Sequence, residues 1–246
     1  MINTEYKMSV VLPAYNEGEN IYRNLQEVSR VVSGFLNNYE LIAVNDGSID
    51  NTKEEIQRAA QEDSHIRLVS YKKNRGKGNA IKCGVVESTG DYIAFLDSDL
   101  DLPADQIEKY LMILVDNRAD VVIGSKMHKE SEIEYPLIRK IISIGYYCML
   151  RTLFRLKVKD TQTGLKVFRA DALKSIISLI KTKGFAYDIE ILVALNCRGY
   201  RIKEMPVRLV FRRGEGMGRI NIKDIIKVFK DTCSIFYRAY FVKYYN

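Results

Sequence analysis

Three acids stand close together in Asp97-Ser-Asp99-Leu-Asp101, directly after the apolar, strand-forming run 92–96 and just before Pro103. Carboxylates two positions apart converge on one hard cation when the chain turns, and such sites leave ligand positions open for substrate phosphates. Three acids within five residues repel one another unless a cation sits among them. The competing reading is local: Asp is common in turns and at helix N-termini, and Pro103 followed by Ala-Asp-Gln-Ile-Glu resembles a helix start, so one of these acids would serve only as a cap.

These acids need elements to carry them. Five β-like runs occur in the first half, at 8–12, 39–44, 66–71, 92–96 and 120–124, separated by helix-like segments at 20–35, 52–61, 78–88 and 103–117. Such alternation predicts an α/β fold, a mostly parallel sheet flanked by helices, with ligands beyond the carboxyl ends of the strands. Glu17, Asp46, Asp97, Asp99 and Lys126 all come just after strand ends, so one sheet edge would gather them. A dinucleotide-binding enzyme is disfavoured because the first turn reads Pro13-Ala-Tyr-Asn-Glu17-Gly and lacks the Gly-x-Gly-x-x-Gly pattern that lets a pyrophosphate approach a helix N-terminus.

The second half is less regular. Residues 137–158 carry apolar positions at near-helical spacing, flanked by Arg139, Lys140, Arg151, Arg155 and Lys157, which fits either a core helix or one lying in a membrane interface. Strand-like stretches come next at 164–168 and 202–211, around a helix expected at 186–197. The segment 222–245 sets Phe229, Phe236, Tyr237, Tyr240, Phe241, Tyr244 and Tyr245 among lysines and Arg238, a composition suited to a water–lipid boundary. The competing reading, favoured for Phe229 and Phe236, is packing on the body of the domain or on a partner chain.

The net charge of +7 hides a division: residues 1–125 carry 13 Lys+Arg against 20 Asp+Glu, residues 126–246 carry 25 against 11. The basic half is compatible with nucleic acid, an anionic membrane surface or a phosphate-bearing substrate. Cys83, Cys148, Cys197 and Cys233 lack Cys-x-x-Cys spacing, and with 2 histidines the chain offers no zinc pattern. Reduced thiols and a polar start, with no signal-peptide pattern in residues 1–7, favour an intracellular protein. The longest uncharged apolar run, 141–150, falls short of a membrane span.

Four motifs in order, Val11-Leu-Pro-Ala-Tyr-Asn-Glu17, Val44-Asn-Asp46-Gly-Ser-Ile-Asp50-Asn-Thr52, Asn74-Arg-Gly-Lys77-Gly-Asn-Ala and Phe95-Leu-Asp97-Ser-Asp99, resemble the inverting family 2 glycosyltransferases of GT-A fold. Asp160-Thr-Gln-Thr-Gly164-Leu-Lys-Val-Phe168-Arg, Gly184-Phe-Ala-Tyr-Asp188-Ile-Glu190 and Arg213-Gly-Glu-Gly216-Met-Gly-Arg219 resemble its polyprenyl-phosphate branch, which includes the dolichyl-phosphate mannose and glucose synthases. Two departures stand out: Gly218-Arg219 replaces a frequent Ser-Lys, and Asp101 stands where mannose synthases often carry Gln.

The resemblance implies a metal-dependent hexosyltransferase that moves a sugar from a nucleotide-sugar such as UDP-glucose or GDP-mannose to a polyprenyl or dolichyl phosphate. It implies a GT-A catalytic domain over 1–220, with a nucleotide-binding half at 1–125 and an acceptor half at 126–220, followed by a C-terminal amphipathic helix at 221–246. Pro13, Ala14, Tyr15 and Glu17 would line the nucleotide pocket, Asp46 would accept from the base, and Lys77 would lie on the donor side. Asp97 and Asp99, with Asp101 as an open third, would hold Mg2+ or Mn2+. Arg213 and Arg219, with Arg139 as a further candidate, would grip phosphate oxygens with paired bonds. Asp99, Asp188 and Arg213 would carry the catalysis. The expected setting is peripheral, on the cytoplasmic face of an anionic membrane, without nucleic acid, and with a membrane-anchoring partner subunit or a homo-oligomer left open.

Departure of the sugar from pyrophosphate develops negative charge on the leaving oxygen, so electrostatic stabilisation is the main requirement. A phosphate monoester acceptor already carries charge near neutral pH, its second pKa being about 6, and needs no strong base. A hydroxyl acceptor needs one, and Asp188 would then be the candidate; with a phosphate acceptor Asp188 would instead order the site or pair with an arginine, in the pocket in either role. Two alternatives stay open: a glycosyltransferase acting on a glycan or soluble hydroxyl, and a non-catalytic binder of nucleic acid or membrane surface.

Overall fold

The computed structural model of the chain describes residues 5–131, 137–184, 186–210 and 222–246, with side chains described from 145 onward in the helix that starts at 137 and from 227 onward in the helix that starts at 222. The first half alternates as expected: β1 (Met8–Ala14), α1 (Ile21–Ser33), β2 (Tyr39–Asp46), α2 (Thr52–Glu62), β3 (Ile66–Tyr71), α3 (Lys77–Glu87), β4 (Tyr92–Phe95), α4 (Gln106–Val115) and β5 (Val121–Ser125). The second half adds α5 (Leu137–Phe154), β6 (Lys166–Arg169), α6 (Ala170–Ile177), α7 (Tyr187–Cys197), β7 (Ile202–Pro206) and α8 (Ile222–Phe236), closed by a π-helical turn at Tyr237–Phe241.

The strands form a 7-stranded sheet in the order β3-β2-β1-β4-β6-β5-β7. Ladders β2–β3, β1–β2, β1–β4 and β5–β7 are parallel, whereas β6 runs against both its neighbours, β4 and β5. That reversal places the start of β6 at the edge where β1, β2, β4 and β5 end. In register terms, Phe95, the last residue of β4, pairs with Lys166, the first of β6.

Successive residues of a strand face opposite sides of the sheet. Val10 and Leu12 of β1 accordingly join one core, with Ile21, Leu25 and Val28 of α1, Ile56 of α2 and Ile107 and Leu111 of α4. Val11 joins a second core on the other face, with Ile81 and Val85 of α3, Phe154 of α5, Leu173 of α6 and Ile189 and Leu192 of α7. Burial on both faces explains why β1 and β2 read as near-continuous apolar runs without alternation.

Several boundaries differ from the sequence pattern. The helix expected from 103 begins at Gln106, with Asp105 at the cap position making no side-chain capping bond; its carboxylate pairs with Arg208 at 2.8 Å. Asp101 stands well before that cap, so its place in the chain is the turn after β4 and not a helix start. The strand expected over 202–211 closes at Pro206, whose ring nitrogen has no hydrogen to extend a ladder; residue 211 lies outside the described residues. Helix α6 continues from β6 without a connecting loop, and no turn signal in the sequence marks it.

Candidate active site

The edge where the parallel strands end opens into a cleft of about 690 Å³. Pro13, Ala14, Tyr15 and Glu17 line it from β1 and its turn, Asp46 from the end of β2, and Asp97, Ser98 and Asp99 from the turn after β4. Lys77 enters from the start of α3, and Lys227, Val228 and Asp231 from α8. The first four sequence motifs thus converge on one cavity although they are spread over most of a hundred residues.

Local bonding explains each placement. The turn after β1 is clamped by the loop after β2: the Asn16 N–H donates to Ser48 Oγ at 3.0 Å, the Glu17 N–H to Thr52 Oγ1 at 2.8 Å, and the Gly18 N–H to Asp50 Oδ2 at 3.0 Å. Burial raises the pKa of Asp50, but the Thr52 hydroxyl and the Gly18 and Thr52 N–H groups carry it below the ordinary value. Asp50 and Thr52 are therefore scaffold for the 13–17 turn. The Asp46 carboxylate accepts the Tyr71 hydroxyl at 2.6 Å and the Arg75 N–H at 2.8 Å on Oδ1, and the Gly76 N–H at 3.0 Å on Oδ2. Each carboxylate oxygen accepts about two bonds, so Oδ2 retains capacity toward the cleft while Asp46 also fastens the loop that leads to Lys77.

The acids after β4 are separated by backbone geometry. Leu100 is buried and adopts φ 54°, a left-handed conformation uncommon for a residue with a Cβ. It turns the chain between Asp99 and Asp101, and the Asp101 N–H donates back to Asp99 Oδ1 at 3.2 Å. Asp97 and Asp99 line the cleft; the lining does not include Asp101.

Asp97 forms an ion pair with Lys77. Burial alone would raise the Asp97 pKa; the charge and hydrogen bond of Lys77, with Lys166 and Lys126 further off, carry it below the ordinary value. Burial likewise draws Lys77 down, but Asp97, then Asp188 and Asp99, leave it raised. Both groups are charged at neutral pH, and Asp97 is in the form that binds a hard cation.

A second ion pair lies behind the first. Lys166 Nζ donates to Asp188 Oδ1 at 2.6 Å and to the Thr163 carbonyl at 2.5 Å, with both side chains buried. Burial holds the Asp188 pKa above the ordinary carboxylate value, against the pull of Lys166 and then Lys77. Asp188 is thus within the electrostatic reach of the acids but is not among the residues lining the cleft. The 160–164 motif is likewise a positioning device: Asp160 accepts the Lys126 N–H at 2.9 Å, the Thr163 hydroxyl at 2.6 Å and the Gln162 N–H at 3.1 Å, which holds Gly164 against Asp97.

The residues fit a divalent cation of the kind that keeps open positions. Two carboxylates face the cleft, and Asp97 keeps its place there because Gly164, packed against it, has no side chain to displace its carboxylate. Mg2+ and Mn2+ sites completed by substrate phosphates need only one or two carboxylates. Among the described residues no group of three or more His, Cys, Asp or Glu is arranged as a self-sufficient metal site. Arg213 and Arg219 lie outside the described residues, and Arg139 is placed only by the backbone of α5.

Sequence reasoning did not single out Lys166, Lys227 or Asp231. Lys166 carried a signal, a lysine opening an apolar strand two residues after Gly164. Lys227 read only as one of the cations of a water–lipid boundary, and Asp231 carried no signal.

Residues 9–177 match the family model described as Glycosyl transferase family 2. A dolichyl-phosphate beta-glucosyltransferase of Trichomonas vaginalis (ALG5A) is 33% identical over 93% of this chain and 72% of its own length. That of Saccharomyces cerevisiae is 29% identical over 94% of this chain and 74% of its own. Among solved structures, glucosyl-3-phosphoglycerate synthase from Mycobacterium tuberculosis, in complex with Mn2+, UDP and phosphoglyceric acid, superposes with a TM-score of 0.71 at 19% identity, covering 95% of this chain and 78% of that one.

Proposed function

The chain belongs to glycosyl transferase family 2 and has the GT-A fold, and from that premise we propose that it moves a hexose, glucose in the first instance, from a nucleotide-sugar to a polyprenyl or dolichyl phosphate. The observation that carries this reading is the convergence of Pro13 to Glu17, Asp46, Lys77, Asp97 and Asp99 on one cleft at the ends of the parallel strands. The donor would lie there with its base against Tyr15, a residue that is 45% exposed, and near Asp46. Asp97 and Asp99 would hold Mg2+ or Mn2+, which when bound neutralises the charge that develops on the leaving diphosphate.

Around that group the protein's own work is orientation and fixed charge. Lys77 keeps Asp97 ionised and adds a cation on the donor side. The Asp46 anchor holds the 75–76 backbone in place, so the loop that presents Lys77 needs no reorganisation when the donor arrives. Attack by the acceptor oxygen on the anomeric carbon, opposite the departing diphosphate, inverts the configuration there.

The state of Asp188 favours a phosphate acceptor over a hydroxyl. A hydroxyl needs a base that reaches it, and the Asp188 carboxylate is tied to Lys166 at 2.6 Å and stands outside the cleft lining. A phosphate monoester supplies its own charged oxygen. The names of the relatives point the same way. Arg213, Arg219 and Arg139 are the residues proposed to meet the acceptor phosphate, in the half 126–220.

No helix among the described residues is long and apolar enough to cross a membrane. A peripheral setting is supported by the C-terminal segment, where Phe229, Tyr237 and Phe241 are 54%, 60% and 71% exposed and Lys230 and Lys243 lie beside them. A thermal-shift series with UDP-glucose, GDP-mannose and the free nucleotides, with and without Mn2+, tests the donor half of the reading. A metal-dependent rise with one nucleotide-sugar supports it; no rise with any nucleotide-sugar opposes it.

A further inference from the structure

The C-terminal helix is part of the cleft, and a buried acid fastens it there. Glu190, on α7, is fully buried, and its two oxygens face different partners. Oε1 accepts Arg238 Nη2 at 2.7 Å and the Tyr245 hydroxyl at 2.6 Å, both from the C-terminal segment. Oε2 accepts the backbone N–H groups of Lys181 at 3.0 Å and Thr182 at 2.7 Å. Arg238 Nε also donates to the Tyr245 hydroxyl at 3.0 Å, and the Tyr245 carbonyl accepts Arg198 Nε at 2.8 Å. One carboxylate thus joins the end of the chain to the 181–184 turn.

That turn touches the donor side of the cleft. The Lys183 carbonyl accepts the Gly78 N–H at 3.0 Å, one residue from Lys77. Gly184 lines the cleft, and Lys227 of α8 runs along it, with Nζ 3.7 Å from where a Cβ on Gly184 would stand. Lys227 and Asp231 are one helical turn apart and so share a face; both line the cleft together with Lys77, Asp97 and Asp99.

We propose that Lys227 is a donor-binding residue that contacts the diphosphate of the nucleotide-sugar, and that Glu190 is the positioning residue that holds α8 across the cleft through Arg238 and Tyr245. The proposal rests on the reading of the cleft as a nucleotide-sugar site. A single ammonium against a diphosphate adds charge where the leaving group sits, without the paired geometry of a guanidinium. Asp231, one turn on, offers an acceptor for ribose or sugar hydroxyls.

The test is titration calorimetry of UDP and GDP, with Mn2+, against the full chain and four variants: Lys227→Ala, Arg238→Met, the double variant, and Tyr245→Phe. Lys227→Ala should weaken nucleoside-diphosphate binding roughly tenfold, without change in melting temperature, because the residue is exposed. In the Arg238→Met background the same change should cost less than about twofold, since the helix that carries Lys227 is no longer held over the site. Tyr245→Phe, which removes one hydroxyl and leaves the ion pair, should weaken binding less than Arg238→Met and keeps the test open if Arg238→Met does not fold. Wild-type affinity in Lys227→Ala, or effects of Lys227→Ala and Arg238→Met that simply multiply, overturns the proposal while leaving the donor-site reading intact. Absence of nucleotide binding by the wild-type chain overturns both.

Discussion

Gly164 lies so close to Asp97 that a Cβ on it would stand 2.1 Å from Asp97 Oδ2. A contact below 3 Å forces movement, and here the atom that must move belongs to a carboxylate proposed to bind metal. The glycine of the 160–164 turn is the complement of the acid after β4, brought to it by the antiparallel register of β6.

Replacing Gly164 by Ala should therefore push Asp97 away from Lys77 and the cleft. Transfer should fall by about two orders of magnitude or more, as expected when charge stabilisation at a leaving group is misplaced, while overpacking costs about 1–3 kcal/mol of stability. Parallel measurement of turnover and melting temperature checks this; unchanged turnover would mean that Asp97 relaxes without consequence.

The Lys166–Asp188 pair should act as a unit in stability. Lys166→Met leaves a buried carboxylate without its cation, and removing one partner of such a pair costs roughly 3–5 kcal/mol. Lys166→Met combined with Asp188→Leu removes both charges and should recover a large part of that loss in urea unfolding. A double variant as unstable as the sum of the two single variants would show that the two groups do not depend on each other.

Glu40 gives a pH prediction away from the cleft. Burial raises its pKa, but the Ser9 hydroxyl, the Thr89 N–H, Arg67 and the Thr89 hydroxyl together lower it from 4.5 to about 2. A carboxyl depressed on folding contributes stability above its unfolded pKa, and that contribution is lost as pH falls through the folded value. Between pH 4.5 and 2 the wild-type chain should lose stability from this group, on the order of 2 kcal/mol. Glu40→Gln should be less stable at neutral pH and show a shallower slope across that window; an identical slope would remove Glu40 as the cause.

Asp99→Asn should abolish metal-dependent transfer and leave the melting temperature of the metal-free protein within a few degrees, since the amide keeps the shape and removes the charge. Near-normal turnover by this variant would remove Asp99 from the proposed metal site.

The residues near strand ends were legible in the sequence because parallel strands buried on both faces announce themselves as apolar runs, and the residues just past the end of each run must lie at one edge of the sheet. That logic located Glu17, Asp46, Asp97 and Asp99 without any contact being known. It did not reach Lys166: the strand-like run 164–168 was legible, but not that this strand runs antiparallel between β4 and β5 and so begins at the edge where they end. For Asp188 the motif left two roles, a base toward a hydroxyl acceptor or a group that orders the site by pairing with a cation, and the burial and bond to Lys166 that bear on the choice are properties of packing. Lys227 was hidden for a further reason: helical periodicity tells which face is polar, not whether that face meets water or a ligand.

The most direct measurement is transfer of labelled sugar from UDP-glucose, and in parallel from GDP-mannose, to a polyprenyl phosphate presented in detergent or vesicles, beside soluble saccharide acceptors, with Mn2+ and with a chelator. The expected result is a metal-dependent, lipid-linked sugar phosphate formed from one of the donors, with the soluble saccharides unmodified. Glycosylation of the soluble saccharides with none of the polyprenyl phosphate would contradict it.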